Sequence, residues 1–323
     1  MPVKKASQRS FFGKALQELG EADESIVALD ADLGSSTKTS DFAKVFPDRF
    51  FQCGIAEQNM MGTAAGLAAA GKTAFTSTFA VFATGRCWDQ IRQSIAYPQL
   101  NVKIAATHCG ISVGGDGASH QALEDIALMR ALPNMTVICP ADANEAYKAT
   151  LAVASMPGPC YIRMGRADFP IITEEDAPFE VGKANILRKG KDVTLVGSGQ
   201  MVSLCLEAAE MLKGEGVAAE VLNMATVKPL DAETLIDSVE RTRCVVTAEE
   251  HSVIGGLGSA VAEFLGENGN QPMVRVGVRD SFGESGDPED LMVKYGLTKE
   301  DIVHAARKAV ARKQKKKGFL WRK

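Results

Sequence analysis

The chain has 323 residues, 46% of them hydrophobic, and a formal net charge of -4. That length exceeds what one hydrophobic core usually organises, so two domains of ordinary size are expected. The mild charge argues against a nucleic-acid binder despite the basic C-terminal run KKKGFLWRK, and with no bilayer-length apolar stretch and no apolar leader core in MPVKKASQRSFF, a soluble cytoplasmic protein is expected.

Seven cysteines, odd in number, widely spaced and without a CxxC pair, speak against a disulfide framework or a zinc site. They read as reduced thiols. Along the first half, short apolar runs alternate with helical patterns. Ser25 to Asp30 is a strand candidate, followed by Thr73 to Phe75, Val102 to Ala106, Met135 to Cys139 and Cys160 to Met164, with helices over Gln121 to Leu132 and Ala143 to Met156. That alternation predicts an α/β fold, a parallel sheet with helices on both faces.

Cys53 to Gly71, CGIAEQNMMGTAAGLAAAG, reads as a buried helix ending at a glycine. Gly62, Ala65, Gly66 and Ala69 carry little bulk, so another helix or a flat ligand can lie against its backbone. Glu57 stands at its N-terminal end. Drawn inside, this carboxyl group needs a partner or a proton; left outside, it complements the helix dipole. Further on, TSTFAVFATGRCWDQIR puts Phe79 and Phe82 three apart, which on a helix is one side: core packing, or a clasp for a flat heteroaromatic ring.

His108 follows directly on the strand KIAAT, where α/β proteins place functional side chains. Asp116 and His120 sit on the glycine-rich loop after it. The histidines lack ligand spacing on a regular element, so hydrogen bonding to a polyhydroxylated or carbonyl substrate is the better reading than a metal site. Gly115-Asp116-Gly117, with Asn144 downstream, imitates a diphosphate and magnesium motif. The surrounding segment is a polar loop rather than a strand end, and that reading is rejected.

Arg166 to Glu180, with two prolines and a cluster of acids, is taken as the linker between domains 1–165 and 181–323. Strands are expected after it at Val193 to Val196, Ala219 to Leu222 and Cys244 to Ala248. The expected helices are Val202 to Lys213, Ala232 to Glu240, Gly258 to Leu265 and Ile302 to Arg312, the last capped by Thr298 with Asp301 at its third position. DVTLVGSGQMV tempts a dinucleotide reading, but Val202 stands where the third glycine belongs, leaving a tight turn. In TAEEHSVIGGLG, Glu249, Glu250 and His251 read as a charged turn before a glycine-rich helix start. Lys313 to Lys323 is expected to fray, with Phe319 and Trp321 docking locally.

The segments STFAVF, ATHCGISVGGDGASHQALEDIALMRALPNMTVICPADANEA and GIAEQNM together resemble transketolase over nearly the whole chain. The part resembled is the pyrimidine-binding domain followed by the C-terminal domain. The family's N-terminal, diphosphate-binding domain has no counterpart here, so the resemblance implies one subunit of a split enzyme. It would be active only with a partner subunit that supplies the diphosphate site and its Mg2+ or Ca2+, with no metal held here. A homodimeric core within an α2β2 assembly is implied, along with carbohydrate metabolism such as the pentose phosphate route.

Residue by residue, the resemblance makes Glu57 the carboxyl group on N1′ of the aminopyrimidine of thiamine diphosphate, catalytic through that bond, with its pKa raised by desolvation. Phe79 and Phe82 pack on that ring. His108, Asp116 and His120 contact the substrate, His120 with a catalytic part, while Arg9 and Arg166 bind a sugar phosphate. Asp32 and Ser36, in DADLGSST, flank the cofactor and the channel. Gly85 departs from the family's ring-packing tyrosine, with Arg86 or Trp88 to compensate. The implied reaction passes a two-carbon ketol unit from a ketose phosphate to an aldose. Competing readings are the β subunit of a 2-oxo acid dehydrogenase, a deoxyxylulose-phosphate synthase-like enzyme, and a scaffold subunit that has lost the chemistry.

Overall fold

A computed structural model describes residues 4–320, with side chains as far as residue 315. The first part runs β1 (Lys5–Ser7), α1 (Gln8–Ala22), β2 (Ile26–Asp30), α2 (Gly34–Thr37), α3 (Thr39–Val45), β3 (Phe50–Gln52), α4 (Glu57–Ala69), β4 (Thr73–Phe79), α5 (Trp88–Gln90), β5 (Val102–Thr107), α6 (Asp125–Arg130), β6 (Thr136–Ile138), α7 (Ala143–Ala154), β7 (Cys160–Arg163) and β8 (Asp168–Pro170). β2, β4 and β5 are buried at every position, as strands covered on both faces must be. They form the middle of a seven-stranded sheet, with β6, β7, β5, β4, β2 and β3 side by side and parallel. One core cluster gathers Met60, Met61 and Ala64 of α4 with Ile91 and Ile95, and another gathers Phe12 and Leu16 of α1 with Ala146 and Val153 of α7.

The second part runs β9 (Asn185–Arg188), β10 (Val193–Gly197), α8 (Met201–Gly214), β11 (Ala219–Asn223), β12 (Thr226–Lys228), α9 (Ala232–Thr242), β13 (Val245–Ser252), α10 (Leu257–Asn268), β14 (Met273–Val278), α11 (Pro288–Lys294) and α12 (Lys299–Leu320). Its five-stranded sheet has the order β14-β13-β10-β11-β9, parallel except for β9. β12 leaves it to pair antiparallel with β6, so the second part supplies an edge strand to the first sheet. Thr298 and Asp301 form a reciprocal cap on α12: the Asp301 amide donates to Thr298 Oγ1 at 3.2 Å and the Thr298 amide to Asp301 Oδ2 at 3.1 Å. α12 continues past the expected Arg312 into the basic run. The docking expected of Phe319 and Trp321 lies outside the described residues.

Three expectations change. Glu249, Glu250 and His251 are no turn: they are strand residues of β13, with exposures of 0, 4 and 0%. Charge in the sequence suggested solvent, but inside the fold the Glu249 and Glu250 carboxyl groups accept backbone amides and His251 Nδ1 meets Ser252 O at 2.7 Å. The helix expected over Gln121 to Leu132 forms only as α6, because the Gln121 side chain is drawn into the preceding loop, donating to Ile111 O at 3.2 Å and Glu284 O at 2.9 Å. Phe79 and Phe82 do not share a helix. Phe79 ends β4, while Phe82 opens a π-helical stretch, Phe82–Arg86. Between the two parts, residues 166–180 contain β8, which pairs antiparallel with β1, and Asp142 Oδ2 accepts the amides of Ile172 and Thr173 at 2.8 and 2.7 Å.

Candidate active site

Strands of a parallel sheet all end on one edge, and helices that follow them begin there, so chemistry collects at that edge. Glu57 is the first residue of α4, reached from β3 through a turn with Gly54 at φ 68°. The helix N-terminus favours negative charge there. Only 3% of Glu57 is exposed, and its two carboxylate oxygens accept from Arg86 Nη1 at 3.4 and 3.2 Å. Arg86 is held by Gln58, whose Nε2 donates to Arg86 O at 2.7 Å, and its guanidinium lies 4.3 Å above the centre of the Phe82 ring. Trp88 turns away, donating to Leu128 O at 3.0 Å. Of Arg86 and Trp88, the two residues named to compensate for Gly85, Arg86 is therefore the one against the Phe82 ring.

Phe79 pairs in register with Thr107 of β5, so the next residue, His108, emerges beside the Phe79 ring. Its imidazole stacks on that ring at 3.7 Å between centroids and 23° between planes. Phe79 stacks on Phe82 at 5.8 Å, and His120 meets the edges of Phe82 and Phe79 at 5.2 and 6.1 Å. Glu57, Arg86, Phe82, Phe79, His108 and His120 are thus one continuous set of contacts. Burial pushes the His108 imidazole down to about 3, with the nearby Arg9 and Arg166 charges adding to it. At neutral pH it is an uncharged hydrogen-bonding group, with Nδ1 2.9 Å from Thr107 Oγ1.

Asp116 is exposed on the loop between these histidines, at the end of the 3-10 turn Ile111–Asp116. Arg9, in the first turn of α1, donates from Nη1 to Ser36 O at 2.8 Å and from Nη2 to Arg166 O at 2.7 Å, while Arg166 Nη1 donates to Val113 O at 2.7 Å. Both guanidiniums are held by neutral carbonyls, and Arg9 Nε is buried without a partner. Such a pair suits a tetrahedral oxyanion. Ser36 therefore belongs to the arginine side. Asp32, exposed at φ 66°, gives its amide to Gln52 Oε1 at 2.8 Å, which also accepts from Gly54 N at 3.0 Å on the way to Glu57.

A buried carboxylate beside flat aromatic faces fits an aminopyrimidine: an acceptor for a ring N–H, and surfaces for stacking. Among the described residues no group of three or more His, Cys, Asp or Glu is placed to hold a metal ion. Reading by segment missed Arg86 as the Glu57 partner and Glu250 as a neighbour of the glycine-rich loop. The pairing of Arg86 with Glu57 spans 29 positions and has no local signature.

The family model of the transketolase pyrimidine-binding domain matches residues 4–171, and that of the transketolase C-terminal domain matches residues 182–302. A Methanocaldococcus jannaschii protein named for the C-terminal section of transketolase is 52% identical over 91% of this chain and 93% of its own length. A Clostridium protein named as the 6-deoxy-6-sulfo-D-fructose transketolase subunit SqwH is 47% identical over 94% of this chain and 95% of its own. Among solved structures, one described as a split gene transketolase, an inactive beta4 tetramer, superposes with a TM-score of 0.88 at 55% identity, covering 95% of this chain and 99% of that one.

Proposed function

Because the chain belongs to the transketolase family, of which it carries the pyrimidine-binding and C-terminal domains, we propose that it is one subunit of a thiamine-diphosphate-dependent ketol transferase. It moves a two-carbon unit from a ketose phosphate to an aldose or aldose phosphate. The observation that carries this reading is the unbroken contact from buried Glu57 through Arg86 and the Phe82–Phe79 stack to His108 and His120.

When bound, thiamine diphosphate supplies an electron sink for cleavage of the carbon–carbon bond next to the ketose carbonyl. Glu57 accepts a hydrogen bond from the pyrimidine N1′–H and so keeps the proton on that nitrogen. Phe79 and Phe82 offer flat faces to that ring, with Asp32 on the Gln52 side of the same wall. Neutral His108, together with His120, hydrogen-bonds the carbonyl and hydroxyl oxygens of the sugar, and His120 exchanges a proton with them. Asp116 accepts from a sugar hydroxyl. Arg9 and Arg166, with Ser36, take the terminal anion. A phosphate and the sulfonate in the name of the Clostridium relative are both tetrahedral oxyanions, so the arginine pair suits either.

A separate subunit holds the diphosphate and Mg2+ or Ca2+, and two copies of this chain form the centre of an α2β2 assembly in the cytoplasm. The names of the relatives as a section, a subunit and a split-gene product support the two-chain reading. The face of α4 with Gly62 and Gly66, both free of neighbours where a side chain would project, and Ile55, 79% exposed, support a second copy packing there. Among the described residues no helix is long and apolar enough to cross a membrane.

The test is to purify the tagged chain with its associated subunit and assay ketol transfer with and without thiamine diphosphate and magnesium. Activity should require both subunits and the cofactor. Glu57→Gln should lower kcat by about 10²–10⁴, the usual contribution of a positioned acid–base group, with the melting profile retained. Wild-type turnover in that variant, or a cofactor-independent complex, would overturn the reading.

A further inference from the structure

Successive residues of β13 point to opposite faces, so Glu249 and His251 lie on one side and Glu250 on the other. Glu249 serves its own domain, accepting the amides of Leu257 and Gly258 at the start of α10 at 2.6 and 2.7 Å. Glu250 crosses to the first domain. Its Oε1 accepts the Ser112 amide at 2.6 Å, and its Oε2 accepts from Gln200 Nε2. Gly110, at φ 79°, lies so close that a Cβ there would fall 2.3 Å from the Glu250 carboxyl group. Glu250 O also accepts from Arg163 Nη2 at 3.0 Å, which fixes the strand backbone beneath.

The loop so gripped is the one between His108 and His120. Glycines at 110, 114, 115 and 117 widen its accessible conformations, and its own backbone bonds, such as Gly117 N to Gly114 O and His120 N to Gly117 O, each at 3.0 Å, are short in range. The second domain touches it again further along: Ser285 Oγ donates to Gly115 O at 2.6 Å, Gln121 Nε2 donates to Glu284 O at 2.9 Å, and Pro288 packs on Gly114. We infer that the C-terminal domain is a clamp on the substrate side of the active site, with Glu250, backed by Gln200, as the positioning residue that sets the His108–His120 loop. The inference rests on the reading above that this loop contacts the sugar. Glu250 touches neither sugar nor cofactor; it acts through the Ser112 amide.

In Glu250→Gln the side chain keeps its shape but can accept from only one of Ser112 N and Gln200 Nε2, because its amide nitrogen is a donor. In the double variant Glu250→Gln with Gln200→Glu the donor and acceptor are exchanged, and both contacts return. In the complex with the diphosphate-binding subunit, Glu250→Gln should raise KM for the ketose donor about tenfold, the equivalent of one charge-assisted hydrogen bond, with kcat and thiamine diphosphate affinity within about twofold. The double variant should recover most of that loss. Hydrogen exchange of the 110–117 amides in the chain alone should accelerate about tenfold in Glu250→Gln and slow again in the double variant. Gln200→Ala, at a half-buried position, should shift both readouts in the same direction and by less.

An unchanged KM and unchanged exchange in Glu250→Gln would overturn the clamp. So would a rise in KM accompanied by equal loss of cofactor affinity and melting temperature, which marks a general structural defect. If the wild-type complex transfers no ketol unit, the functional reading fails by itself, and the exchange measurement still decides whether Glu250 holds the loop.

Discussion

Replacing Asp125 by Asn tests how the two domains are held together. Asp125 is fully buried at the start of α6: Oδ2 accepts from Arg163 Nε and the Tyr161 hydroxyl, each at 2.7 Å, and Oδ1 accepts from Arg163 Nη2 at 3.1 Å. Arg163 also donates from Nη2 to Ala122 O at 3.2 Å and, across the boundary, to Glu250 O at 3.0 Å. Burial pushes the Asp125 carboxyl up, yet the Arg163 guanidinium, helped by His251, holds it below the usual carboxylate range, so it is a true counter-ion. An asparagine turns one of its two acceptors into a donor facing a guanidinium and leaves the cation buried without its charge partner. Removing one member of such a pair costs about 3–5 kcal/mol. With an unfolding entropy of about 2.1 cal/mol/K per residue, a chain of this size should lose about 4–7 °C in Tm if it unfolds as one unit. Scanning calorimetry with a reheating check measures it. Asp125→Leu with Arg163→Met, which removes both charges, should recover much of the loss. Asp125→Asn within about 1 kcal/mol of wild type would refute the argument, because the pair would then contribute no more than a surface salt bridge.

Two further outcomes follow from the same interior. Burial drives Glu145 and Glu249 up to about 7 and drives His251 and His108 down to about 4 and 3. The depressed histidines contribute stability at neutral pH that is lost as pH falls from about 6.5 through their folded values, whereas the raised carboxyls add stability over the fall from about 7 to about 4.3. The slopes offset each other down to roughly pH 4.5, so urea midpoints should change little between pH 7 and 5 and then drop steeply; a steady decline from pH 7 would show that the carboxyl contribution is absent. On the substrate side, Arg9→Gln should raise KM for a phosphorylated ketose about 10–100-fold, the loss of charge-assisted bonds, and leave KM for an unphosphorylated ketose nearly unchanged. Equal effects on both donors would mean that Arg9 acts only through its bonds to Ser36 O and Arg166 O.

Where the sequence alone carried the reading, the reason was local. The runs at Val193, Ala219 and Cys244 are mostly apolar, broken only by Thr194, Glu220 and Thr247, because β10, β11 and the first half of β13 are covered on both faces, and composition and length are enough to identify such strands. The cap at Thr298 and Asp301 needs only three residues of spacing. The motifs around Glu57, His108, Asp116 and His120 carried the family resemblance, since Glu57 stands in the short run GIAEQNM and the other three in one continuous loop segment. Other features depend on positions far apart in the chain. The stack of Phe79 on His108 follows from the register of β4 against β5, and a strand's register is set by its neighbours rather than by its own residues.

The same distinction explains Glu249, Glu250 and His251. Three ionisable residues in a row look solvated when only their own polarity is weighed, because burying a charge is costly unless a partner is waiting. The partners are Arg163, Asp125 and Ser112, brought to β13 by the packing of the first domain, and Gln200 and the start of α10 from the fold of its own domain. Sequence determined the strands, the cap and the identity of the site-forming loop, for which nearest-neighbour chemistry suffices. Tertiary structure decided which charges are buried, which guanidinium faces Glu57 and which domain holds the loop, because each of those is a pairing across the fold whose energy exists only once both members have left water.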